Sequence, residues 1–117
     1  MPSLDWIYHR SGCESCAKAQ DFLGKKNIVA KETVNAKQIR IGVDEAVKLA
    51  SKANEIYVLK GTKVVHVDVK ADKPDSETIG KLIMGPTGNL RAPTFFLGDK
   101  MVVGFHKETY EKVLGKG

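Results

Sequence analysis

The chain has 117 residues, of which 42% are hydrophobic and 28% charged, with a formal net charge of +5. That length suits one domain spanning residues 1–117, and the ordinary apolar content excludes intrinsic disorder. No apolar run approaches the roughly 18 residues that a membrane span needs, so no membrane partner is expected. Lysines are interleaved with acids along the chain and no arginine-rich segment occurs, so the positive charge reads as a solvated surface rather than a nucleic-acid face. The stretch from Met1 to Tyr8 lacks the basic flank and apolar core of a secretory signal, which makes the cytoplasm the expected compartment.

In chain order, Asp5 to His9 contains Trp6, Ile7 and Tyr8, residues of high strand propensity, and Ser11-Gly12 stops the run. From Cys13 onward, Cys16, Ala19, Phe22 and Leu23 recur at helical spacing, with Lys25-Lys26 in the last turn complementing the helix dipole. Ile28 to Val34 reads as a second strand with Ile28, Ala30, Glu32 and Val34 on one side, although Glu32 interrupts the pattern. A second helix follows, its acids Asp44 and Glu45 in the first turn and its stripe made of Val43, Ala46, Val47, Ala50 and Ala53. Ile56 to Leu59 and Val64 to Val69 flank Lys60-Gly61-Thr62-Lys63, the pattern of a β-hairpin closed by a two-residue type II′ turn. Pro74, Asp75 and Glu77 open a third helix with Ile79, Leu82 and Ile83 facing inward, ended by Gly85-Pro86 before a turn over 86–89. Pro93 to Leu97 and Lys100 to Phe105 are strands joined by Gly98-Asp99. A closing helix then buries Tyr110, Val113 and Leu114 and stops at Gly115.

The two cysteines of the chain form Cys13-Glu14-Ser15-Cys16. Random placement would put two cysteines three apart in only roughly 2 of 100 such chains, and a bridge closing so short a loop contributes little chain-entropy stabilisation. The pair therefore reads as chemistry rather than scaffold. A thiol reacts as its thiolate, and the first turn of a helix favours that form through unpaired N–H groups and the positive end of the dipole. Cys13 stands there as a nucleophile; His9 or Arg10 would help it, while the Glu14 carboxylate would work against it. Cys16, one turn on, lies within disulfide reach and serves as a resolving thiol. The alternatives are a half zinc site or two inert thiols. Zinc needs four ligands, and beyond this pair only His9, His66 and His106 remain, so no metal is expected.

The landmarks Tyr8-His9-Arg10-Ser11-Gly12-Cys13-Glu14-Ser15-Cys16, Arg91-Ala92-Pro93-Thr94 and Val103-Gly104-Phe105, in this order of elements, resemble the thioredoxin-fold superfamily. Within it they look most like the glutaredoxin-like arsenate reductases and their redox-sensing regulator relatives. The resemblance implies an α/β, thioredoxin-like fold: a βαβ unit plus a ββα unit around a mixed sheet, with a helix and the β-hairpin inserted in the middle. It implies that Pro93 is cis and sits against the cysteine loop, with Ala92 and Thr94 helping to position an extended substrate. It also implies that Arg91 belongs to the site as an anion-binding or tuning residue, and that Gly104-Phe105-His106-Lys107 could bind a glutathione carboxylate. The sequence departs from the arsenate reductase pattern in its second cysteine, its hairpin, its three arginines (Arg10, Arg40 and Arg91) and the Ala92 that separates Arg91 from Pro93.

The expected activity is thiol–disulfide exchange, with Cys13 and Cys16 catalytic, no bound cofactor, glutathione as a candidate co-substrate, and a disulfide-containing protein or glutathione as partner. Two alternatives stand beside it. One is an arsenate reductase using Cys13 as nucleophile, with Arg91 or Arg40 on the oxyanion. The other is a non-catalytic redox sensor that binds a partner protein.

Overall fold

The computed structural model describes residues 3–10, 14–60, 63–85 and 88–114. Cys13, the Ser11-Gly12 strand stop, the Gly61-Thr62 turn pair, Pro86 and Thr87 of the later turn, and the Gly115 helix stop lie outside the described residues.

The predicted first strand is β2 (Trp6–His9), and a two-residue strand, β1 (Ser3–Leu4), precedes it across a break at Asp5. Helix α1 (Glu14–Lys25) buries Cys16, Ala19, Phe22 and Leu23, the stripe that helical spacing predicts. The second strand is also broken, into β3 (Val29–Ala30) and β4 (Thr33–Asn35). This corrects the single strand expected over 28–34. Ile28 packs under α1 while Val34 packs against the cluster on the other side of the sheet, so the break at Lys31-Glu32 shifts the alternation and leaves Glu32 exposed.

Helix α2 (Val43–Ser51) buries Ala46 and Ala50. Strands β5 (Glu55–Lys60) and β6 (Lys63–Asp68) pair antiparallel from Glu55↔Asp68 to Lys60↔Lys63, the predicted hairpin. Val69 belongs not to the strand but to a short helix, α3 (Val69–Asp72), because the Asp68 side chain accepts the amides of Lys70 and Ala71 and turns the chain into a helical start. Helix α4 (Ser76–Ile83) is capped in the same way by Asp75, and it buries Ile79 and Ile83. Strands β7 (Thr94–Leu97) and β8 (Lys100–Val103) form the second hairpin, with Gly98 at φ +61°. β8 stops at Val103 rather than Phe105, because Gly104 takes φ +90° and turns the chain away. Helix α5 (Lys107–Leu114) closes the fold.

The strands of the main sheet run β4-β2-β7-β8-β5-β6, with β1 and β3 pairing separately. β2 runs parallel to β4 and antiparallel to β7, and β5 joins β8 in parallel, so the sheet is mixed. The inserted hairpin therefore extends the sheet sideways from β8. Alternation along the strands feeds two cores. Tyr8, Ile56, Val58, Met101 and Val103 pack with α2 and α4 on one side, and Ile7, Tyr57, Phe95 and Val102 pack with α1 and α5 on the other. No helix among the described residues is long and apolar enough to cross a membrane.

Candidate functional site

The site is built where β2 hands over to α1. Ile7 and Tyr8 are buried and fix β2, and the Tyr8 hydroxyl donates to the Ile39 carbonyl at 2.7 Å. Cys16 lies in the first turn and a half of α1 on its buried face, with only 2% of its surface exposed. Its sulfur accepts the backbone N–H of Arg10 at 3.3 Å, which ties the helix to the end of the strand across residues 11–13. Glu14 opens α1 pointing into solvent and pairs with Lys18 at 3.7 Å, so its carboxylate is engaged one turn further along the helix. The Arg10 side chain is exposed, and His9 is half-buried, its carbonyl accepting the Ala36 amide at 2.7 Å.

The second wall comes from the start of β7. The Ala92–Pro93 peptide is cis, and Pro93 is fully buried. Tyr8 pairs with Thr94 in antiparallel register, which places Pro93 alongside the His9 end of β2. Thr94 is also fully buried; its hydroxyl donates to the Arg91 carbonyl at 2.6 Å and so closes the turn before the strand. The Pro93 carbonyl accepts the Gly104 amide at 2.7 Å.

Tyr110, a core position by its helical spacing, also joins these parts. It is fully buried, its ring makes edge-on contacts with Phe22, Phe95 and Phe105, and its hydroxyl donates to the Gly104 carbonyl at 3.0 Å. Burial, and secondarily the charge of a Cys16 thiolate, push its pKa far above the ordinary tyrosine value, so it stays a neutral donor beside Cys16. The signal in the sequence is a hydroxyl on the apolar face of the last helix, a group that needs a buried acceptor.

The remaining candidates are spread apart. Arg91 turns its guanidinium to the inserted hairpin, Nη1 donating to the Leu59 carbonyl at 2.8 Å. Arg40 donates through Nε to Asn89. His106 caps α5: its Nδ1 lies 2.9 Å from the Thr109 hydroxyl and accepts the Thr109 amide at 3.3 Å, taking up one of the amides at the helix start that an incoming carboxylate would use. His66 pairs with Glu55 at 3.0 Å and lies tilted against the Tyr57 ring. Among the described residues no group of three or more His, Cys, Asp or Glu side chains is arranged to hold a metal ion.

No protein-family model matches the chain, and no curated protein matches its sequence. Solved structures do. The YFFB protein superposes with a TM-score of 0.57 at 18% identity, covering 94% of this chain and 98% of its own. A protein described as ArsC family related, from Bacteroides fragilis, superposes with a TM-score of 0.54 at 20% identity, covering 92% of this chain and 95% of its own. A mixed six-stranded sheet between two helix pairs and near end-to-end superposition give the chain the thioredoxin-like α/β fold that it shares with these two solved structures.

Proposed function

We propose that the chain is a thiol–disulfide oxidoreductase of the ArsC-related type, with Cys13 as nucleophile, Cys16 as resolving thiol, and Ala92, Pro93 and Thr94 as the substrate-positioning segment. The observation that carries this reading is the placement of Cys16. Its sulfur is buried at the start of α1 with an N–H aimed at it, three residues after Cys13 in the sequence. A thiol shielded from solvent reacts poorly with bulk disulfides but well with a mixed disulfide formed on a neighbouring cysteine, and the N–H stabilises negative charge as it develops on sulfur.

In the first step the Cys13 thiolate attacks one sulfur of a substrate disulfide; a Cys13–substrate disulfide forms and the other substrate sulfur leaves as a thiolate. Cys16 then attacks the Cys13 sulfur and passes its proton to the departing substrate sulfur. The second substrate thiol is released and a Cys13–Cys16 disulfide remains. The substrate gains two electrons and the protein loses two, which two equivalents of an external thiol such as glutathione restore, leaving as their disulfide. The cytoplasm, where thiols are held reduced, suits this cycle, and a disulfide-containing protein or glutathione is the fitting partner. A disulfide is better supported than an oxyanion as substrate, because Arg91 and Arg40 are bonded to Leu59 and Asn89.

The test is turnover of a glutathione mixed disulfide by the purified chain with coupled reductant. Cys13→Ser is expected to fall at least ~100-fold, to background, whereas Cys16→Ser accumulates a covalent Cys13–substrate adduct visible by mass spectrometry. A wild-type chain with no turnover above background overturns the reading.

A further inference from the structure

Leu59 and Gly104 meet at the place where the inserted hairpin passes the active-site wall. β8 ends at Val103, paired with Val58, so β5 runs on beyond its partner and the Leu59 carbonyl has no β8 amide opposite it. Arg91 supplies the missing donor: Nη1 bonds that carbonyl at 2.8 Å. Arg91 is itself held, its amide donating to Ile83 at 3.0 Å and its carbonyl accepting from Thr94 at 2.6 Å. Gly104 packs against the same hairpin residue. A Cβ there would stand 3.0 Å from the Leu59 Cβ, and φ is +90°, while its amide bonds Pro93 and its carbonyl bonds Tyr110. Two independent contacts thus join the hairpin to the turn that carries Pro93.

We propose that Arg91 is a positioning residue for the disulfide exchange: through the Leu59 carbonyl it pins the Pro93 turn to the inserted hairpin, and so fixes where an extended substrate lies relative to Cys13. This rests on the oxidoreductase reading above. The guanidinium points to the hairpin, where it is spent on the Leu59 carbonyl. An arginine placed this way acts on substrate geometry and leaves the charge of the Cys13 thiolate alone.

The experiment compares two reactions of the full chain. One is turnover of a peptide–glutathione mixed disulfide; the other is alkylation of Cys13 by iodoacetamide across pH in a Cys16→Ser background, which reads the thiolate without needing a positioned substrate. Arg91→Ala is expected to lower kcat/KM for the peptide about tenfold, mainly through KM, since small misplacements of a reacting group carry costs of this order. Alkylation rate and its pH midpoint should stay within about twofold of the unsubstituted background, because the guanidinium is spent on the Leu59 carbonyl. Arg91→Lys, which keeps a donor, should recover part of the loss, and Gly104→Ala, which pushes on Leu59 while leaving the guanidinium in place, should reproduce it. Circular dichroism checks that each variant folds; if Arg91→Ala does not, Arg91→Gln carries the same comparison. Wild-type kcat/KM in folded Arg91 variants overturns the assignment, and so does a shifted alkylation midpoint, which would make the guanidinium a direct partner of the thiolate. If the wild-type chain shows no exchange, the oxidoreductase reading falls first and this assignment falls with it.

Discussion

Tyr110 shows how one side chain serves both core and site. Its ring fills the space between α1, α5 and β7, and its hydroxyl satisfies a carbonyl that the left-handed turn at Gly104 would otherwise bury unpaired. Tyr110→Phe keeps the ring and removes the donor, so it is expected to destabilise the fold by about 1–3 kcal/mol, read from urea unfolding at pH 7. The pH dependence follows from the raised pKa. Above the ordinary tyrosine value of 10.0 the unfolded chain gives up this proton while the folded chain keeps it. The folded state is then the one holding more protons, so stability falls as pH rises past that value. Unfolding measured between pH 9 and 11 should therefore show a shallower alkaline loss in Tyr110→Phe than in wild type. At this scale the sequence is informative about faces and silent about partners. Helical spacing puts Cys16 and Tyr110 inside, but the partners of Cys16 and Arg91, the Arg10 amide and the Leu59 carbonyl, are backbone groups brought there by the fold.

Among the elements, those with strong periodicity or a turn signature are legible before folding: α1, α2, α4, α5 and both hairpins. Where the structure departs from the sequence pattern the causes are local. Asp5, the first position of the predicted strand, lies between β1 and β2 and acts as a tie, its carboxylate accepting the Gly98 amide at 2.6 Å and lying 3.6 Å from the Lys31 ammonium. Asp68 looks like the outer residue of an alternating strand, yet its side chain starts α3. Asp75 does the corresponding work for α4, and hydrogen bonds from Thr78 hold its carboxyl below the ordinary carboxylate range. A carboxyl held lower in the folded state contributes stability that is present above its ordinary value near 3.8 and is lost as pH falls through the folded one. Asp75→Ala should thus lower the urea midpoint at pH 7, and the gap to wild type should narrow as the pH is brought down past 3.8. An unchanged gap at low pH would assign the loss to something other than the charged cap.

Over the whole molecule, the order β4-β2-β7-β8-β5-β6 is what the sequence does not disclose. Each hairpin announces its own turn, but the parallel docking of β5 on β8 pairs residues some 45 positions apart with no local signature, and it decides which residues sit beside Pro93. The core on the α2 and α4 side depends on that docking, since Ile56, Val58 and Met101 meet Ile79 and Ile83 there. Ile83 is fully buried, and Ile83→Ala is expected to cost about 2–5 kcal/mol in thermal or urea unfolding.

The hairpin also has a bearing on how the protein behaves at high concentration. Met101, Val102 and Val103 of β8 are all buried, and β5 covers the edge that this apolar strand would present. The edge left open is β6 instead, which starts with an exposed Lys63 and carries an exposed His66, residues that discourage edge-to-edge pairing between molecules. Trimming the chain to its four-strand centre would therefore yield a self-associating, poorly dispersed protein rather than a smaller version of this one.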